Sequence, residues 1–223
     1  MASAQPTLFD RPASSWLDRI TRLLPAASAK HMHDSWRLRN GTAVTLRAVR
    51  PDDGPLLQEL VRGLSLTSRY HRFFYALHEL TPELLARFTQ ADPKRALTLL
   101  AVIRQDGRET AIGMAQYAAV NYPQRGEFAA VVADAWQRNG IAQRLIRNLM
   151  CIARAAGIEQ FEGDVLAENL PMQLLLLRMD FAIEPHPDGD NLVRTYKVLL
   201  QPAWKCSPLA GLAQPDRPAL AYA

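Results

Sequence analysis

Apolar positions along the chain switch between two spacings. Val44, Leu46 and Ala48 alternate with polar residues over 43–50, the period of a half-buried strand. Pro51-Asp52-Asp53-Gly54 stops that run and offers an N-cap for a helix. Leu56, Leu57, Leu60, Val61 and Leu64 then recur at helical spacing, which predicts an amphipathic helix. A second helical stretch covers 68–77, with Tyr70, Phe73, Phe74 and Leu77 on one side. Thr81-Pro82-Glu83 opens a third, running to about Gln90. Residues 96–104 are a continuous apolar run of the buried-strand type, and Gln105-Asp106-Gly107-Arg108 is a hairpin turn. Residues 110–120 return as its partner strand, with Gly113 marking a bulge or a close backbone approach.

Asn121-Tyr122-Pro123-Gln124 turns the chain again into a strand that starts at Glu127, carries Phe128, Val131 and Val132, and breaks at Asp134. Ile141, Leu145, Leu149, Ile152 and Ala156 then predict a long helix, closed by Gly157. The next strand spans 158–166. Glu168-Asn169 caps a helix over 170–179 that tolerates Pro171 in its first turn. Strands at 181–184 and 192–200 form a last hairpin around Pro187-Asp188-Gly189-Asp190. The order predicts a mixed α/β arrangement with one central sheet, occupying residues 38–200. Residues 1–37 read as an extension punctuated by Pro6, Pro12 and Pro25; within it Trp16, Leu17, Ile20, Leu23 and Leu24 suit one short helix that docks on the domain or on a partner subunit, which leaves room for a homodimer. His31 and His33, near Asp34, read as a solvated loop rather than a metal site, and 201–223 as a Pro- and Ala-rich tail.

Composition narrows the function classes. The chain has 223 residues, 48% of them hydrophobic, enough for one good-sized core. The net charge of +4 comes almost wholly from Arg, with no run of five basic residues. That pattern reads as a solvated surface rather than a nucleic-acid footprint, and it suits an anionic ligand. Cys151 and Cys206 form no CxxC and no zinc spacing, so no disulfide framework and no metal are expected. No apolar run reaches membrane-spanning length, and Asp10, Arg11, Asp18 and Arg19 interrupt any signal-peptide core. The expectation is a cytoplasmic protein that binds neither membrane nor nucleic acid.

One stretch carries chemistry. Gln137 to Ala142 has the form Q-x-x-G-x-A between a strand and a long helix. The first turn of a helix has amides with no internal partner and the positive end of the helix dipole, and a phosphate chain satisfies both. Gly140 lets a ligand approach the backbone, Ala142 is nearly as small, and Arg138 can add a charged contact. Alone, this pattern is equally well an ordinary strand-to-helix turn.

Four features in order make the resemblance to a known family. They are a T-L-R-x-x-x-P-x-D corner from Thr45, a hairpin with Gly113 in its second arm, the strand followed by Gln137-Arg138-Asn139-Gly140-Ile141-Ala142, and Asn169 with Met172 ahead of Phe181. Over residues 39–200 the chain resembles the GNAT N-acetyltransferases. Ser68-Arg69-Tyr70-x-Arg72-Phe73-Phe74, the helix from Thr81, and Glu127-Phe128-Ala129 resemble in particular the acetyltransferase domain of bacterial protein-lysine acetyltransferases. The resemblance implies an α/β fold with a central mixed, mostly antiparallel sheet of six to seven strands flanked by helices. It implies acetyl transfer from acetyl-CoA to a primary amine, on a protein lysine or a small molecule, by direct attack in a ternary complex. It implies that amides of Asn139 to Ala142, with Gln137 and Arg138, hold the pyrophosphate. It implies too that backbone groups of Val131, Val132 and Ala133 pair with the pantetheine arm, that Val132 polarises the thioester carbonyl, and that Asn169, beside Met172, bonds the arm near its thiol end. A lysine-like amine is neutral in only about one molecule in 10³ at pH 7, so a general base is useful, and the resemblance points to Glu127, acting through a water.

Two departures stand out. The Tyr that many members carry seven residues after the Asn is Leu176 here, which leaves Tyr117, Tyr122, a water or no acid at all to serve the leaving thiolate. The family's Gly-Phe is Asp180-Phe181, and Asp tolerates the left-handed turn at modest cost. The missing Tyr also leaves open a second reading, a CoA-binding sensor or interaction module of the same fold without turnover.

Overall fold

Thirteen regular elements succeed one another in a computed structural model of the chain, which describes residues 33–92, 95–121 and 125–199. They are β1 (His33–Arg37), β2 (Ala43–Ala48), α1 (Gly54–Arg62), α2 (Leu66–Phe73), α3 (Pro82–Thr89), β3 (Ala96–Gln105), β4 (Arg108–Asn121), β5 (Arg125–Val132), α4 (Ile141–Ala155), β6 (Gln160–Leu166), α5 (Leu170–Leu177), β7 (Ala182–Pro185) and β8 (Leu192–Val198). A short 3-10 turn, Asp134–Trp136, links β5 to α4. The residues of the expected N-terminal helix, with His31, Tyr122, Cys206 and the tail, lie outside the described residues.

The strands form one sheet in the order β1-β2-β3-β4-β5-β6-β8-β7, antiparallel throughout except between β5 and β6. It has eight strands, one more than the sequence suggests. The extra one, β1, comes from residues read as part of the extension. Its sequence HDSWR carries no alternation; the ladder to β2 and contacts distant in sequence hold it. Asp34 takes a bidentate ion pair from Arg144 of α4 at 2.6 and 2.7 Å, and that guanidinium covers the Trp36 ring at 4.4 Å.

Both faces of the sheet are covered, which is why β3 reads as an unbroken apolar run. Leu99, Ala101 and Ile103 face α4, while Leu100 and Val102 face α1 and α3. The Asp106-Gly107 turn takes positive φ at both residues, 49° and 79°, as a tight hairpin requires. Gly113 is at both a register shift and a close approach, where an added Cβ would lie 3.1 Å from the Val131 carbonyl. The second helix is shifted from its expected span: Ser65 caps α2 by accepting from Ser68 N–H at 3.1 Å, and Phe74, at φ 63°, ends it. Gly157 at φ 91° closes α4 as expected, and Asp180 takes the left-handed turn at φ 59°. Cys151 on α4 is disulfide-bonded, against the expectation of no disulfide; spacing in sequence reveals repeated frameworks, not a single bridge.

Asp53 does not cap α1 with its side chain. It is committed to Arg47 instead, through bonds of 2.6 and 2.8 Å, while accepting from the Arg50 N–H at 2.6 Å. Glu109 of β4 takes the other side of the same guanidinium at 2.6 Å. This buried triad closes the β2–α1 corner. Burial pushes the Asp53 carboxyl up, but the Arg47 guanidinium and the Arg50 N–H outweigh it and hold the group below 3.8. Because the folded form holds the carboxylate at a lowered value, its stabilisation is present above about pH 3.8 and is lost as the pH falls below it. Asp53→Ala leaves Arg47 buried with half its partners gone, so urea unfolding at pH 7 should show a loss of about 3–5 kcal/mol. A change below about 1 kcal/mol would mean the corner is held by packing alone.

Candidate active site

β5 and β6 run parallel for only three register pairs, ending at Glu127 opposite Glu162. Beyond that rung the strands part. Gly163 marks the last close approach, since an added Cβ would lie 2.9 Å from the Phe128 carbonyl oxygen. Beneath the fork, Phe128 stacks on Phe161 at 5.4 Å and tilts against Phe181 at 5.2 Å. These rings fill the core under the fork while the strand edges above it stay unpaired with each other. The opening is a cleft of about 1480 Å³, walled by β5, β6, α2, α5 and the start of α4.

Backbone direction along β5 decides which groups face this cleft. The Ala133 N–H donates to the Ile112 carbonyl at 2.9 Å, toward β4. The Val131 carbonyl points the same way, toward Gly113. Peptides alternate along an extended strand, so Val132 faces the cleft, as the Phe128 carbonyl does. Of the three peptides the sequence nominates for the pantetheine arm, Val132 is therefore the one aimed correctly, and Ala133 does not line the cleft. The Val132 carbonyl already accepts from Gln137 Nε2 at 3.2 Å.

The loop into α4 places most of the nominated residues together. Gln137, Arg138, Gly140, Ile141 and Ala142 line the cleft; Asn139 does not, and its Nδ2 braces the loop by donating to the carbonyls of Trp136 and Gln137 at 3.2 and 3.1 Å. Gly140 is the N-cap of α4 at φ 76°, with no side-chain cap. No protein atom crowds its Cβ position, so within the chain itself it is the left-handed conformation that calls for a glycine. The amides of Ile141, Ala142 and Gln143 head a 15-residue helix without a capping side chain, a cradle that fits a phosphate chain. Gln143, which the sequence reading passed over, lines the cleft with them. Ile141 itself is 1% exposed, so only its backbone serves.

On the far wall Asn169 caps α5, its Oδ1 accepting from the Met172 N–H at 3.2 Å, and both residues line the cleft. Leu176 is fully buried in the core. Tyr117, named as a substitute acid, packs against Phe161 at 5.8 Å and does not reach the cleft; Tyr70 and Tyr75, at 44% and 42% exposure, do. Glu127 is half-buried at the fork, on the face of β5 that looks toward α2.

A polar clamp missed by sequence reasoning holds the loop to α2. The Asp134 carboxylate accepts from the Ser65 N–H at 2.9 Å, the Ser65 hydroxyl at 2.7 Å and the Ser68 hydroxyl at 2.7 Å. Gln137 Nε2 also donates to Ser68 Oγ at 3.1 Å. Burial pushes the Asp134 carboxyl up, and these donors hold it below its ordinary value. The pattern S-x-x-S ahead of a helix was the available signal; its partner, far along the chain, was not readable.

Residues 43–182 match the family profile described as Acetyltransferase (GNAT) domain. The acetyltransferase PA5475 of Pseudomonas aeruginosa is 28% identical over 162 residues, covering 72% of this chain and 87% of that protein. The crystal structure of the GNAT domain of S. lividans PAT superposes with a TM-score of 0.68 at 26% identity, over 79% of this chain and 99% of that domain. The fold is shared with yncA from Salmonella typhimurium, solved with its cofactor acetyl-CoA, at a TM-score of 0.57 and 16% identity over 72% of this chain and 96% of that one.

Asp134→Ala removes three acceptor contacts in one step. The loss should be about 1 kcal/mol, less than bonds to a charged group give in the interior, because Asp134 is only partly shielded from solvent. Hydrogen exchange should quicken across the loop from Asp134 to Gly140, read by mass spectrometry. An unchanged exchange pattern there would show that the loop holds itself.

Proposed function

The chain belongs to the GNAT acetyltransferase family, and from that premise we propose that it transfers an acetyl group from acetyl-CoA to a primary amine, with Glu127 as the general base. The observation that supports this reading is the fork itself: the carboxylate stands on the last paired rung, and the open strand edge and the uncapped helix N-terminus lie on the same cleft. Acetyl-CoA supplies the activated acetyl thioester. The amides of Ile141, Ala142 and Gln143 suit its pyrophosphate, with Arg138 beside them. Val132 offers its N–H toward the cleft, where it would polarise the thioester carbonyl as an oxyanion-hole donor does. Asn169 would hold the arm from the opposite wall.

Glu127 takes the proton from the incoming ammonium, through a water, so that the amine nitrogen attacks with a free lone pair. Acceptor entry falls between α2 and the β7–β8 hairpin, where Tyr70, Tyr75 and Leu192 line the cleft. A protein lysine and a small-molecule amine both fit such an opening. Tyr117 lies in the core, Tyr70 and Tyr75 line the cleft, and a thiolate is a fair leaving group without an acid.

The buried Leu176 also supports the second reading, a domain that binds CoA without turning it over. Calorimetry with acetyl-CoA and an acetyl-transfer assay across protein and small amines separate the two. Glu127→Gln should slow transfer roughly 10²- to 10⁴-fold and leave acetyl-CoA affinity within about twofold of wild type. Binding with no turnover on any amine would select the sensor, and no binding at all would remove both readings.

A further inference from the structure

Arg72 on α2 is 5% exposed and lies in the wall of the cleft, yet no step of the acetyl transfer gives it a task. Its Nη2 donates to Gln116 Oε1 at 2.8 Å, and its guanidinium stacks on the Phe73 ring at 4.7 Å. Gln116 and Phe73 are themselves buried, at 4% and 2% exposure, so the cation is fixed in place. Gln116 stands on β4 opposite Ala129, and Ala118 stands opposite Glu127. Residues two apart on a strand share a face, so Gln116 and Glu127 are diagonal neighbours on the face that α2 covers. Burial lowers the Arg72 guanidinium to about 10, and the Glu127 charge acts in the other direction. Arg72 is thus still a cation at neutral pH, electrostatically coupled to the carboxylate.

We propose that Arg72 is a positioning residue for Glu127, a buried cation that keeps the carboxylate ionised and in place to receive a proton. The inference rests on Glu127 as the base. A carboxyl in a wall that includes Phe73, Phe74 and Phe128 is driven by burial toward its neutral form, which cannot accept a proton. Other charged groups face Glu127, and among the described residues none is placed like Arg72. Arg125 on the same strand is spent on Glu162 at 3.3 Å, and its side chain is 46% exposed, so solvent screens it. Glu162, opposite Glu127 on β6, and Asp164 carry charge of the same sign as the carboxylate. His71 on α2 lies 3.5 Å from Glu168. Arg72 alone among these joins opposite charge to full burial.

The test reads Glu127 directly and needs no acceptor. In the full chain labelled with ¹³C at glutamate Cδ, the resonance lost in Glu127→Gln identifies the group, and its titration midpoint is tracked by NMR. Arg72→Met should raise that midpoint by about one pH unit or more, the scale of losing a close opposite charge, while Arg72→Lys should hold it within about half a unit. Arg72→Gln, also uncharged but still able to donate to Gln116, replaces Arg72→Met should the latter fail to fold. An unmoved midpoint in the uncharged variants overturns the inference. Should Glu127→Gln instead keep full acetyl-transfer activity, the base assignment fails whatever Arg72 does, so the two failures are distinguishable.

Discussion

The parting of β5 from β6 after three register pairs is the constraint on which the rest of this molecule depends. A parallel ladder normally continues until a strand ends. Here it stops mid-strand, with Phe128 stacked on Phe161 and tilted against Phe181 on the core side, and Gly163 provides the last point where the backbones approach. The strand edges above these rings would be a liability in a closed sheet. In the proposed transfer reaction they would take a ligand that adds itself as an extra strand.

Everything around the fork serves to keep its rim fixed. Asp134 ties the loop after β5 to the cap of α2, and Asn139 braces the same loop from within. Gly140 then turns the chain so that the amides of α4 face the opening. The helix has no side-chain cap there, which leaves those amides open to the proposed anion. A capping serine at that position would compete with the ligand for the same donors.

Buried charge is used in two ways in this fold. Arg47 is surrounded by Asp53 and Glu109, so its charge is neutralised within the corner and contributes only structure. Arg72 donates to a neutral amide and stacks on an aromatic ring, and the charge of Glu127 at the fork acts on it. The first arrangement is self-contained; the second couples a buried cation to a carboxylate that lines the cleft.

The periodicity of apolar residues determined by itself most of this architecture. The unbroken run of β3, the Asp106-Gly107 turn, the 3.6-residue stripe of α4 and the glycine ahead of it are local features, and local backbone preference is written in local sequence. Strand β1 was not legible, since His33-Asp34-Ser35-Trp36-Arg37 has no alternation and is held by Arg144, 110 residues away. Nor was the unequal fitness of Val131, Val132 and Ala133, because which way a peptide faces depends on its register against β4. Tyr117 looked available in the sequence and proved to be core, while Asp134 looked like a strand break and Arg72 only like one position of a family motif. Their partners are set by how α2 lies across β4 and β5, and packing between elements distant in sequence is decided only when the whole chain has folded.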